Sequence, residues 1–334
     1  MYPKLAVTLD AYKDGLLCPP ISTLSASGEN FGRAMLEFFE KRIPPDDVLL
    51  VNKCATIRSH GIRAARRGCL VEAEQLFREC HAMLDAAVRL TPEGRMLALT
   101  FLWAGEAYLA YRHGENEQAQ ALVYEAMRID VALETSHGYP MGMHRIQLAC
   151  NLVKVMACSS RDDAVRLGIG VLNVLEGDAT SRPVPEVADP INLAEVPPDL
   201  LSLMVNQIIG ELALVLAGAG AEQARRLFSY AVIHVKKRAT GNCMRYAYSH
   251  DWLAAKQAFL DRDVDCFLMR AAEFLAVGRR DDSTLWFATA VDFSVLCNEF
   301  NIAGGDIALE QLANDAQSWE RVPSRLLAVI EDLR

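Results

Sequence analysis

The chain has 334 residues, 51% of them hydrophobic and 23% charged, enough to bury one large core or two ordinary ones. Its 34 Lys and Arg against 43 Asp and Glu leave a formal charge of −9, which disfavours a phosphate-backbone binder, so nucleic acid is not an expected partner. The most apolar stretch, residues 208–220, is broken by Glu211 and falls short of the ~20 residues of a membrane-spanning helix, while Asp10, Lys13 and Asp14 interrupt any leader-like apolar core, so neither membrane nor export is expected.

Residues 1 to about 30 are punctuated by Pro19, Pro20, Ser22, Ser25, Ser27 and Gly28 and show no sustained period, which reads as an irregular or lightly helical lead-in. A short helix over 31–42 ends at Ile43-Pro44-Pro45, because the residue before a proline is pushed out of the helical region. The lead-in is therefore 1–45, and 46–334 forms one helical domain. There, pairs of amphipathic windows are separated by Gly, Asn or Asp, and almost nothing alternates with the period of a strand.

The first pair covers about 47–67 and, after Gly68, about 70–89, with Gly61 and Ala64 on one face of its first helix and Ala73, Phe77 and Cys80 on one face of its second. Small residues let two helix axes approach while Phe77 fills the seam. The second pair carries Trp103, Ala107 and Ala110, a turn at Gly114-Glu115-Asn116, then Ala119, Val123 and Ala126; Gly114 falls 46 residues after Gly68. A third pair carries Leu148, Leu152 and Val155, a turn near Ser159-Ser160, then Ala164, Gly168 and Val171. The fourth pair, Ile208, Leu212 and Val215 followed by Ala224, Phe228 and Ala231, comes late because of an insert at about 176–198 that holds five of the 13 prolines and reads as a long extended loop. Windows at 249–261, 263–277, 284–298 and 307–319 keep the rhythm without the residue match, and 322–333 reads as a closing helix.

A fixed period of this kind is the mark of a stacked solenoid in which each unit buries its apolar face against its neighbours. The unit resembles the tetratricopeptide repeat in Gly61, Ala64, Gly68, Ala73, Phe77 and Cys80, and again in Trp103, Ala107, Gly114, Ala119 and Ala126. The spacing of 45 to 46 marks a long-helix variant of a repeat usually of about 34 residues. The resemblance implies an all-α, right-handed α-solenoid of antiparallel helix pairs whose first helices line a concave groove.

Carried over by register, that groove presents Arg58, Ile62 and Arg66, then Tyr108, Tyr111 and Arg112, then Val153 and Met156, then Asn206 and Ile209. Three arginines and two tyrosines at one end suit an acidic peptide tail or an anionic small molecule, since Arg offers a planar fork to carboxylate or phosphate and Tyr an apolar body with a polar tip. The plainer reading makes Arg66, Arg67 and Arg112 solvated helix ends that offset the dipole. A second basic cluster, Lys236, Lys237, Arg238 and Arg245 around a turn, is a candidate anion site, with a solvated helix C-terminus as the simpler account.

Nine cysteines without C-x-x-C write neither a zinc ribbon nor a disulfide framework and suit a reducing compartment, so a cytoplasmic location is expected. The histidines form no H-E-x-x-H, His250-Asp251 being the one adjacent pair, and neither metal nor cofactor is expected. No G-x-S-x-G or P-loop is present. Asn314-Asp315-Ala316-Gln317-Ser318 looks like the start of the magnesium motif of all-α terpene synthases, but Val322 stands where the closing glutamate belongs. The expected function is a non-catalytic scaffold or sensor that binds a peptide or protein partner. The rival is an enzyme or small-molecule receptor on the same scaffold, with the proline-rich insert as its lid. Exposed solenoid ends also give reason to expect self-association.

Overall fold

Proline, glycine and short polar residues set the helix boundaries along the chain. A computed structural model describes residues 3–17, 42–175, 177–178, 182–184, 191–194, 196, 198–219, 247–278, 283–317 and 324–332. Among these residues the protein is all-α, with thirteen helices packed in neighbouring pairs and no strand. Two compact units result: one collects Met1–Asn30 with Val205–Arg334, and the other is the continuous segment Phe31–Met204. The expected helix at 31–42 and the second helix of the fourth pair lie outside the described residues, apart from Arg42, which is not helical.

The continuous unit contains α2 (Pro45–Arg66), α3 (Leu70–Ala86), α4 (Pro92–His113), α5 (Asn116–His137), α6 (Gly142–Met156) and α7 (Arg161–Leu175). Helices α2 and α4 both begin on proline, whose missing N–H costs nothing in a first turn. Thr91 caps α4 by accepting from Gly94 N at 3.1 Å, and donates its own hydroxyl to the carboxylate of buried Asp47 in the first turn of α2. The starts of these two helices are thereby tied together.

Gly68 and Gly114 end α2 and α4 in the same way. Each sits in the left-handed region, at φ 82° and 80°, where a Cβ is disfavoured. Each turn makes the paired bonds of a Schellman motif: Cys69 N to Ala64 O at 3.0 Å with Gly68 N to Ala65 O at 3.1 Å, and Glu115 N to Ala110 O at 2.9 Å with Gly114 N to Tyr111 O at 3.1 Å. The third pair lacks this glycine. Ser160 instead accepts from Asp163 N at 3.3 Å, so the serine hydroxyl starts α7 where a glycine released the earlier helices.

Phe77 of α3, 2% exposed, occupies the seam expected of it. A Cβ built on Gly61 of α2 would lie 3.0 Å from its ring, and one on Gly105 of α4 would lie 2.9 Å away. Two bare backbones therefore admit one aromatic ring between three helices. Helix α4 packs along both α2 and α5, and α6 packs against α5 and α7. The described residues of the insert are anchored on the third pair: Asn192 O meets the backbone of Gly142, Pro183 meets Gly170, and Val184 and Val196 are buried.

The discontinuous unit contains α1 (Pro3–Leu17), the part of α8 (Pro198–Leu216) from Val205 onward, α9 (Ala247–Leu260), α10 (Val264–Ala276), α11 (Ser283–Glu299), α12 (Gly305–Ala316) and α13 (Ser324–Asp332). Residues 3–17, read from the sequence as irregular or lightly helical, form a full helix packed on α10. Thr8 Oγ1 lies 2.9 Å from Leu268 O, Tyr12 stacks on Trp286 with ring centroids 5.4 Å apart, and the Tyr12 hydroxyl donates to Asp315 at 2.5 Å. Periodicity in so short a segment, beside so many loop-forming residues, gave no hint that its partners lie some 260 residues away.

A buried ion pair holds the interior of this unit. Lys256 Nζ donates to Asp292 Oδ1 at 2.7 Å and to the Leu216 carbonyl in the last turn of α8, while Gly218 N donates to the same Asp292 oxygen at 2.8 Å. Burial pushes the Asp292 carboxyl up, and the adjacent Lys256 and the Gly218 amide pull it back. The turn between α9 and α10 repeats the Schellman geometry with Arg262 at φ 60° in place of glycine, after which Asp263 caps α10 through Cys266 N at 3.1 Å.

Candidate functional site

The groove residues expected from sequence are the natural place to begin, and the structure distributes them unevenly. Arg58 on α2 faces α4. Its guanidinium carbon lies 5.1 Å from the centroid of the Phe101 ring, and a Cβ on Gly105 would touch its Cγ at 3.2 Å. The residue is half-buried, with Nε fully enclosed and without a hydrogen-bond partner. Among the described residues no carboxylate reaches ion-pair distance of it. Burial pulls the guanidinium down from the usual arginine range to about 10, and only the thiols of Cys80 and Cys54 oppose that shift.

Two turns further along the α2–α4 line, Tyr108, Tyr111 and Arg112 lie together. The tyrosine rings are 6.2 Å apart and tilted, and Arg112 Nη1 approaches the Tyr108 hydroxyl at 3.4 Å. The same Nη1 donates to Arg66 O at 3.1 Å, so Arg112 caps the exposed C-terminal turn of α2, and Arg66 contributes its carbonyl there. Arg58, Tyr108, Tyr111 and Arg112 thus fall along one joint between two helices. They are engaged differently: Arg112 caps α2, and Arg58 has no carboxylate partner among the described residues.

The remaining register positions behave otherwise. Val153 and Ile209 are each 0% exposed and belong to cores. Asn206 belongs to the discontinuous unit, where its Oδ1 accepts from Ser249 Oγ at 2.9 Å. The basic cluster Lys236, Lys237, Arg238 and Arg245 lies outside the described residues.

A buried polar chain behind Phe101 went unread in the sequence. The opposite face of its surroundings is His144 of α6, with ring centroids 4.2 Å apart. His144 Nδ1 lies 2.8 Å from Asp130 Oδ2, and the Thr100 hydroxyl lies 2.8 Å from Asp130 Oδ1. All three residues are at most 1% exposed, so this is a satisfied core network that fixes α4, α5 and α6 around Phe101. Its signal was Asp130 on the apolar stripe Ala119, Val123, Ala126, Leu133, where a carboxylate must find a partner.

Other histidines form half-exposed bridges: His81 Nε2 to Glu106 at 2.8 Å and His113 Nε2 to Glu74 at 3.1 Å, both between α3 and α4. No group of three or more potential metal ligands comes together among the described residues. No helix among them is long and apolar enough to cross a membrane. No protein-family model, curated protein or solved structure matches the chain.

Proposed function

We propose that the protein is a tetratricopeptide-like binding module, a right-handed stack of helix pairs that captures an acidic peptide segment of a protein partner at the α2–α4 joint and performs no chemistry of its own. The observation that carries this reading is Arg58: a cation packed on Phe101, enclosed at Nε and, among the described residues, without a carboxylate at ion-pair distance. An unpaired, partly desolvated guanidinium costs stability in the free protein, and an incoming carboxylate removes that cost. Tyr108 and Tyr111, half-buried on the same line, supply apolar contact beside it. The matched turns at Gly68 and Gly114 support the repeat, and the scattered free thiols fit a cytoplasmic setting.

The test compares fluorescein-labelled acidic peptides bearing a free terminal carboxylate with their amidated Asn/Gln counterparts, by anisotropy. The expected result is saturable binding of the acidic set, weakened at least ~10-fold by Arg58→Met. Arg112 is a poor probe here because its removal uncaps α2. Equal binding of both sets, or an unchanged affinity in Arg58→Met, overturns the reading.

A further inference from the structure

Behind Arg58, the close seam between α2 and α3 holds two cysteines. Cys54 lies one helical turn before Arg58, and Cys80 faces it from α3 with Sγ 3.6 Å from Cys54 O. The Cys80 thiol donates to that Cys54 carbonyl, and both cysteines belong to the core cluster around Phe77, at 4% and 0% exposure. Ala64 and Ala73, each 0% exposed, are small residues that let the two helices approach closely at this seam. Cys54 sits below the ordinary thiol range, chiefly through the adjacent Cys80 side chain and further because Lys53 and Arg58 supply positive charge, which together outweigh its burial, whereas the adjacent Cys54 side chain and burial push Cys80 up. One cysteine is thus disposed to ionise and the other to remain a thiol, beside a guanidinium with no carboxylate partner among the described residues.

We infer that Cys54 and Cys80 form a reversible redox pair that closes to a disulfide between α2 and α3 under a hydroperoxide. The Cys54 thiolate attacks one peroxide oxygen and the O–O bond breaks; the attacked oxygen stays on sulfur as a sulfenic acid, and the other takes a proton and leaves as water or an alcohol. The Cys80 sulfur then attacks the Cys54 sulfur, the S–S bond forms, and the hydroxyl leaves as water with the Cys80 proton. Two thiols are oxidised by two electrons and one peroxide is reduced. Arg58 is a positioning residue in this step, since its charge favours the thiolate.

This inference stands apart from peptide binding, although Arg58 belongs to both, because the readouts differ. The full chain, reduced and desalted, is treated with hydrogen peroxide, alkylated under denaturing conditions and mapped without reduction. The expected product is a cross-linked Cys54–Cys80 peptide that dithiothreitol reverses, with the oxidised protein melting about 5 °C higher because a 26-residue separation is bridged. Cys54→Ala and Cys80→Ala each remove the product, and Arg58→Met slows its formation roughly fivefold while the total thiol count is unchanged. Recovery of both cysteines as alkylated thiols, at a peroxide dose that consumes exposed Cys69 and Cys158, overturns the inference. So does formation of the disulfide at an unchanged rate in Arg58→Met, for the part assigned to Arg58.

Discussion

Phe77 lies between the backbones of Gly61 and Gly105, and at 2% exposure it has nowhere to relax. Phe77→Ala is expected to cost about 3–5 kcal/mol by urea denaturation, since the lost ring leaves a cavity that three helices cannot close. This seam was legible in the sequence from the spacing of Gly61, Ala64, Ala73 and Phe77, because small and large residues at helical intervals already describe a packed joint. Arg58 presents the opposite case. Its residue type was legible, but the lack of a carboxylate partner among the described residues is a property of its surroundings, and no spacing encodes that. Replacing it with Met should stabilise the unliganded protein by on the order of 1–3 kcal/mol while weakening peptide capture, the opposite of what a structural arginine would do. The sign with pH follows from its folded value of about 10, below that of the unfolded chain: the cost is complete below the folded value and is relieved only as pH rises through it toward the unfolded one. The gain in melting temperature for Arg58→Met should therefore be constant from roughly pH 6 to pH 9 in calorimetry.

At the scale of elements, equivalent turns are built from different chemistry. The glycines at 68 and 114 are needed for their backbone, whereas Ser160 acts through its hydroxyl and Arg262 adopts the left-handed conformation despite its side chain. Gly114→Ala should thus destabilise by about 1 kcal/mol in denaturant titrations, and Ser160→Ala by a similar ~1 kcal/mol through loss of an N-cap. The two substitutions should differ in rescue: Ser160→Asp keeps a capping acceptor and restores stability, but Gly114→Asp does not. This substitution of one device for another explains why the residue match could be followed along the chain only as far as the fourth pair. Helix boundaries survive because any cap will do, while residue identity drifts. Lys256 shows the same limit inside a helix, where a cation on an apolar stripe gave no indication that Asp292 and the end of α8 would enclose it. Removing either charge alone should cost about 3–5 kcal/mol, and the double replacement Lys256→Met with Asp292→Leu should recover most of it.

For the molecule as a whole, the decisive feature is that one unit is continuous and the other is assembled from both ends of the chain. Gly15 reports on the second: a Cβ there would stand 2.2 Å from Leu275 O, so Gly15→Ala must displace α1 from α10. Hydrogen exchange should then accelerate in α1, α10 and α11 for Gly15→Ala, and in α2, α3 and α4 for Phe77→Ala. Faster exchange spread evenly over all thirteen helices in either variant would contradict the division. The all-α class and most helix positions were readable from period and breakers alone. The pairing of α1 with α10 was not, because periodicity reports what a helix buries and never which distant helix buries it. That arrangement also sets an order of events during synthesis. The continuous unit has all its partners once residue 204 has left the ribosome, but Thr8 meets Leu268 only after some 260 further residues, which at 5–20 residues per second leaves α1 waiting for roughly 13–50 s. During that interval Leu5, Ala11 and Tyr12 have no core to enter, and the newborn chain carries an apolar helix that a holding chaperone would be expected to cover.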